Sequence, residues 1–163
     1  MLQRLDRIGR ALAPGAVTAM MALIAMLPLP YAGAVMPFFT LVAVFYWSVY
    51  RPDLLPMPAV FVIGLFQDLL GGGPVGLNAL VLMGAQALVI SQRLFFLAHP
   101  FVLLWWGFGV VAVAVAMAQW AMMAMVTGTA VPFAPIAVRI VLTVALFPAL
   151  AWFLSRVQRA FLS

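Results

Sequence analysis

The sequence predicts an all-α membrane protein: a single bundle of six transmembrane helices with both termini in the cytoplasm. Three observations carry that prediction. First, 68% of the 163 residues are hydrophobic and 7% are charged, whereas a soluble domain carries about 25% charged residues to solvate its surface. Second, the apolar residues fall into six runs of roughly bilayer-spanning length. Third, arginines flank only alternate ends of those runs. Eight Arg and three Asp, with no Lys and no Glu, cannot cover a water-facing exterior, so apolar atoms must face lipid.

The runs cover roughly 11–30, 34–50, 55–70, 74–91, 100–126 and 132–154 within one domain, 1–163. A spanning helix needs about 20 mostly apolar residues. Run one follows Arg4, Arg7 and Arg10 and closes at Pro28 and Pro30. Its apolar stretch, followed by Ala32-Gly33-Ala34, superficially resembles a signal peptide, but it exceeds the usual 7–15 residues and is expected to remain. Ahead of it, Leu5, Ile8 and Leu12 share a helical face, which suits either a short interfacial helix or an ordinary positive flank. Run two closes at Arg51-Pro52, and run three at the turn Gly71-Gly72-Gly73-Pro74. Run four opens on Pro74, where a proline is tolerated because its missing N–H would be unpaired in the first turn. Run five lies between Pro100 and Gly128, and run six opens at Pro132. Pro148 falls inside run six and is expected to kink it.

Charge orients the bundle. Arg4, Arg7 and Arg10, Arg51, Arg93, and Arg156 with Arg159 follow or precede runs on one side; the connections after runs one, three and five contain no Arg. Cytoplasmic loops carry the excess of positive charge, so that side is cytoplasmic. Trp47, Trp105, Trp106 and Trp152 fall at the same boundary, where amphipathic rings prefer to sit. The net charge of +5 therefore marks a membrane leaflet, and a nucleic-acid partner is not expected.

Ionisable groups within hydrocarbon are costly and are functional candidates by default. Two occur: Asp68, near the outer end of run three, and Arg139, about 10 Å into run six at 1.5 Å per residue. Gln67, Asn78, Gln119 and Thr143 lie at a similar depth, and Gln86 lies deeper. These groups, drawn from four helices, predict a polar cluster or cavity open to the periplasm, able to receive a ligand or a partner. Asp68 and Arg139 either pair or share a network there, or each reaches the headgroups separately, Arg139 by snorkelling. Gly64 stands one turn from Asp68 and is expected to let helices approach closely; Gly107 and Gly109 are expected to do the same.

Catalytic chemistry is poorly provided for. Without Cys there is no thiolate or disulfide, and without Lys no Schiff base. His99 has no companion ligand for a metal. Ser48, Ser91 and Ser155 lack an evident base, and Gly71 to Gly73 lack the Lys and Ser/Thr of a phosphate loop. No enzyme, cofactor or metal is implied, and any catalytic domain must belong to a partner.

From Gly64 to Leu80 the chain runs G-L-F-Q-D-L-L-G-G-G-P-V-G-L-N-A-L. This resembles the signature of the rod shape-determining MreD family, G-L-x-x-D-x-L-x-G-x-x-x-G-x-x-A-L, at Gly64, Leu65, Asp68, Leu70, Gly72, Gly76, Ala79 and Leu80, with Pro74 in the same turn. Tyr46-Trp47 ahead of Arg51-Pro52, and Phe147-Pro148 with the basic tail, are similar to the family too. Many relatives carry His where this chain has Asn78, so a proton-transfer role is not carried over to that position. The resemblance implies a non-enzymatic scaffold of the cell-elongation complex in the bacterial inner membrane. It would bind a single-span MreC-type protein and act with MreB, RodA and a class B penicillin-binding transpeptidase in lateral peptidoglycan synthesis. It also implies a fold like the substrate-binding components of energy-coupling-factor transporters. The competing expectation is a solute- or lipid-binding transporter component that uses the outer polar cluster.

Overall fold

The computed structural model describes residues 2–27 and 37–162. Across them run seven helices and no strand: α1 (Leu2–Ala25), α2 (Phe39–Tyr50), α3 (Met57–Gly71), α4 (Leu77–Ser91), α5 (Arg93–Ala98), α6 (Phe101–Thr127) and α7 (Ala134–Leu162). The junction of runs one and two, with Ala32-Gly33-Ala34, lies outside the described residues. The charged segment before run one is no separate interfacial element, because α1 continues unbroken from Leu2 through Pro14. The helix α5 was not expected; α4 ends at Ser91, and the chain makes one more short helix before His99-Pro100 opens α6.

α2 is the hub. Thr40 to Val49 are all buried in this 12-residue helix, which packs against α1, α4, α5 and α7. A helix apolar all round belongs inside other helices. Phe45 anchors it: its ring meets Phe96, Phe108 and Phe147 at centroid distances of 5.6, 5.1 and 5.7 Å, all edge-on. Such edge-to-face contacts suit the ring quadrupoles. Trp47 is likewise fully buried, which corrects its assignment to the boundary belt; Trp106 and Trp152 do face outward.

α3 and α4 form a close hairpin. Gly72 ends α3 with φ 67° and Gly76 precedes α4 with φ 93°, left-handed conformations that glycine adopts without steric strain. A Cβ on Gly64 would lie 2.5 Å from the Ala79 Cα, so the two backbones touch as expected for this glycine. Gly107 makes room for the Phe96 ring, whereas Gly109 has only ordinary contact with Val144.

α6 and α7 pack together and are, among the described residues, the helices long and apolar enough to cross a membrane by length and composition. At about 1.5 Å per residue, α2, α3 and α4, with 12, 15 and 15 residues, reach about 18–22 Å against a hydrocarbon core of about 30 Å. Among the described residues each expected run overlaps a helix, and turns at Arg51-Pro52 and Gly72–Gly76 leave the middle ones shorter than a span. Val62, Leu69, Val110 and Val141 point outward with Trp106. Water does not tolerate apolar faces of that extent, and lipid does.

α7 stays helical through Pro148. A helical proline leaves the carbonyl four residues earlier without its donor. Here that carbonyl belongs to Val144, and Trp105 of α6 donates its indole N–H to it at 2.8 Å. The tryptophan mends the helix.

Candidate functional site

The two ends of the bundle differ in chemistry. At one end, Arg51 follows α2, Arg93 donates its Nε–H to the Val49 carbonyl at 2.9 Å, and the Tyr46 hydroxyl donates to Gln158 of α7 at 2.8 Å. Arginines from three separated segments, 51, 93 and 159, thus meet where α2 ends. Asp53 pairs with Arg51 at 3.7 Å.

The other end gathers the polar residues, where α2, α4 and α7 begin and α3 closes. Gln67 donates its amide to the Thr40 hydroxyl at 2.8 Å, and Gln119 donates to the Asn78 carbonyl oxygen. Arg139 lays its guanidinium over the Phe38 ring, 3.7 Å from the centroid, a cation–π contact. Its Nε is buried with no hydrogen-bond partner. Arg139, Asn78 and Gln119 line a chamber of about 250 Å³. A recess of about 50 Å³ beside it adds Gln67 and Thr40 to the same three side chains.

Two of the predicted cluster residues do something else. Asp68 is buried, and its carboxylate accepts N–H bonds from Gly76 at 2.9 Å, Asn78 at 3.1 Å and Ala79 at 3.5 Å. It caps the amino end of α4 from the neighbouring helix, meeting N–H groups that no helix can satisfy internally at the pole that favours an anion. Of the alternatives open for Asp68 and Arg139, a direct ion pair is not formed: backbone N–H groups at the head of α4 meet both carboxylate oxygens. Thr143 is also fully buried; its hydroxyl donates to the Arg139 carbonyl at 2.6 Å and accepts the Phe38 N–H at 3.0 Å. That brace fastens the start of α2 to α7 and so fixes Phe38 beneath Arg139. Gln86 lies apart from the chamber and donates to the Leu55 carbonyl at 2.7 Å.

Thr40 and Phe38 were missed as members of the site. Thr40 had a legible sign, a lone hydroxyl in the outer part of run two at the depth of Gln67; Phe38 had none. Chemically the chamber offers one cation and two amides. Among the described residues no carboxylate, His or Cys lines it, so it suits binding of an anionic or amide-rich group.

The signature segment acquires a physical meaning from this geometry. Gly64 and Ala79 set the close approach of α3 and α4, Asp68 caps α4, and Gly72 and Gly76 supply the two left-handed residues of the turn. Comparison with curated proteins and with solved structures returned no match. The family model for the rod shape-determining protein MreD matches residues 6–157. With nearly all of its helical bundle covered by that match, the chain belongs to the MreD family, membrane proteins of rod shape determination.

Proposed function

We propose that the chain is a non-enzymatic scaffold of the cell-elongation complex, crossing the bacterial inner membrane six times with both termini in the cytoplasm. It binds a single-span MreC-type protein and helps direct lateral peptidoglycan synthesis alongside MreB, RodA and a class B penicillin-binding transpeptidase. The observation that carries this reading is the family match over residues 6–157. The arginines drawn to one end support the orientation, since positive loops stay cytoplasmic. Short α2 does not argue against a span, because it is enclosed by protein, and irregular backbone at membrane depth is tolerated where protein surrounds it. A resemblance to the substrate-binding components of energy-coupling-factor transporters belongs to the same reading. Co-expression with the MreC-type protein and mild solubilisation is the test. The two should purify together at a fixed ratio, and repeated recovery of this chain alone would overturn the proposal.

A second reading is favoured by Arg139, which lines the chamber and whose buried Nε has no hydrogen-bond partner. In it the chain is a solute- or lipid-binding transporter component that receives an anionic group between Arg139, Asn78 and Gln119 from the periplasmic side. Mass spectrometry separates the two: a small molecule retained by the purified chain and lost in Arg139→Gln supports the second.

A further inference from the structure

Arg139, Asn78 and Gln119 line the chamber, and each has hydrogen-bonding capacity left over. The Arg139 guanidinium lies over the Phe38 ring, which leaves the edge of its plane, where the N–H fork lies, for an acceptor. Among the described residues, none accepts a hydrogen bond from that fork. Gln119 and Asn78 meet through one amide contact. A primary amide carries N–H donors and a carbonyl acceptor, so that contact spends a donor on one side and an acceptor on the other. Turning both amides about exchanges nitrogen for oxygen in each and leaves the sum unchanged. Either way, the pair still has an N–H and a C=O to offer.

The rest of the lining is apolar, with Trp120, Met123 and Ile136 prominent in it. Trp120 spends its indole N–H on the Val131 carbonyl at 3.1 Å, so its ring serves as surface. Asp68, the acid that could have neutralised Arg139, is held by the head of α4. At about 250 Å³, the chamber thus joins a cation, a donor–acceptor pair and an apolar wall within the space of a small organic molecule. Few polar groups set in an apolar lining fix a ligand's orientation.

We propose that the chamber binds a carboxylate joined to a secondary amide and a small apolar side chain, the chemistry of an N-acylated amino acid. The carboxylate lies along the Arg139 fork, a geometry that guanidinium and carboxylate share. The ligand's amide C=O and N–H meet the Asn78–Gln119 pair, and its side chain packs on Trp120 and Met123. The proposal rests on the reading of the chamber as a ligand site and names what that ligand must carry. Phosphate is a poorer match, because it brings acceptors without donors and would set an oxygen against the spare amide carbonyl. A free amino acid is poorer too: its ammonium would approach Arg139 with no carboxylate in the lining to receive it. Acylation removes that charge and creates the amide.

The test is isothermal titration calorimetry of the full chain in neutral detergent. The probes are N-acetyl-leucine, 4-methylpentanoate, N-acetyl-leucinamide and inorganic phosphate. N-acetyl-leucine should bind about tenfold more tightly than 4-methylpentanoate, which keeps the carboxylate and side chain but lacks the amide; that is the worth of one or two hydrogen bonds. The uncharged N-acetyl-leucinamide and phosphate should both bind more weakly than N-acetyl-leucine. Replacing both amides, Asn78→Leu with Gln119→Met, should bring N-acetyl-leucine down to the level of 4-methylpentanoate. Binding of 4-methylpentanoate should survive that change, which only a folded chamber allows, and Arg139→Gln should weaken both acids alike. N-acetyl-glycyl-glycyl-leucine separates the sources of this chemistry: binding like N-acetyl-leucine assigns a peptide terminus, and its exclusion assigns a free acid. Equal affinity of the parent chain for N-acetyl-leucine and 4-methylpentanoate, or a preference for phosphate, would overturn the amide-bearing ligand while leaving an anion site. Failure of every anion to bind would overturn the ligand site itself.

Discussion

Asp68 and Arg139 are two charges in apolar helices that solve burial in different ways. The carboxylate meets three backbone N–H groups at the head of α4, so its charge is dispersed into peptide dipoles. The guanidinium rests on the Phe38 face and borders a chamber. A double-mutant cycle separates this arrangement from an ion pair. Asp68→Ala removes a helix cap and should lower stability by about 1–2 kcal/mol. The Arg139→Gln change should add to it within about 0.5 kcal/mol, as independent sites do. Thermal unfolding in detergent measures both. A coupling well above that bound would mean that the two side chains share an interaction after all.

At the scale of the helix, α7 depends on α6. Pro148 deprives Val144 of its intrahelical donor, and Trp105 replaces it from the next helix. Trp105→Phe should therefore leave a carbonyl unsatisfied and lower stability by about 1–3 kcal/mol. In a Pro148→Ala background the alanine N–H can close that bond within α7, so the same Trp105→Phe change should cost much less. Unfolding midpoints of the four proteins in the cycle decide it, and equal losses in both backgrounds would refute the mending role. The middle helices make a related point about length. Their apolar runs were legible, yet part of each run is turn, because Gly72–Gly76 and Arg51-Pro52 divert residues from helix into loop.

Considered whole, the molecule has a cationic end and an amide-and-guanidinium end, joined by apolar helices with their exposed residues facing outward. If the cationic end is cytoplasmic, the turn at Gly73 faces the periplasm and the short α5 faces the cytosol. The chain contains no cysteine, so single introduced thiols report directly. Gly73→Cys should react with a membrane-impermeant maleimide in intact spheroplasts, and Ala98→Cys should react only after lysis. Both positions are exposed, and a Cβ at Gly73 meets nothing within 4 Å. The reverse pattern would invert the orientation and move the chamber to the cytosol.

Composition, the six apolar runs and the placement of Arg51, Arg93 and Arg159 were enough by themselves to determine an all-helical bundle with an arginine-bearing end, because hydropathy and charge act through solvent and need no particular neighbour. The cluster was legible to the extent that depth along a helix is countable: Gln67, Asn78, Gln119 and Arg139 do come together. Direction around the axis is another matter. Whether Asp68 turned toward Arg139 or toward the amino end of α4 depended on the glycine-set approach of α3 and α4, and whether Trp47 faced lipid or core depended on α2 being enclosed. Those outcomes rest on contacts between segments far apart in the chain. Only the packed tertiary structure decides them, since a side chain's partners follow from which backbones are brought within reach.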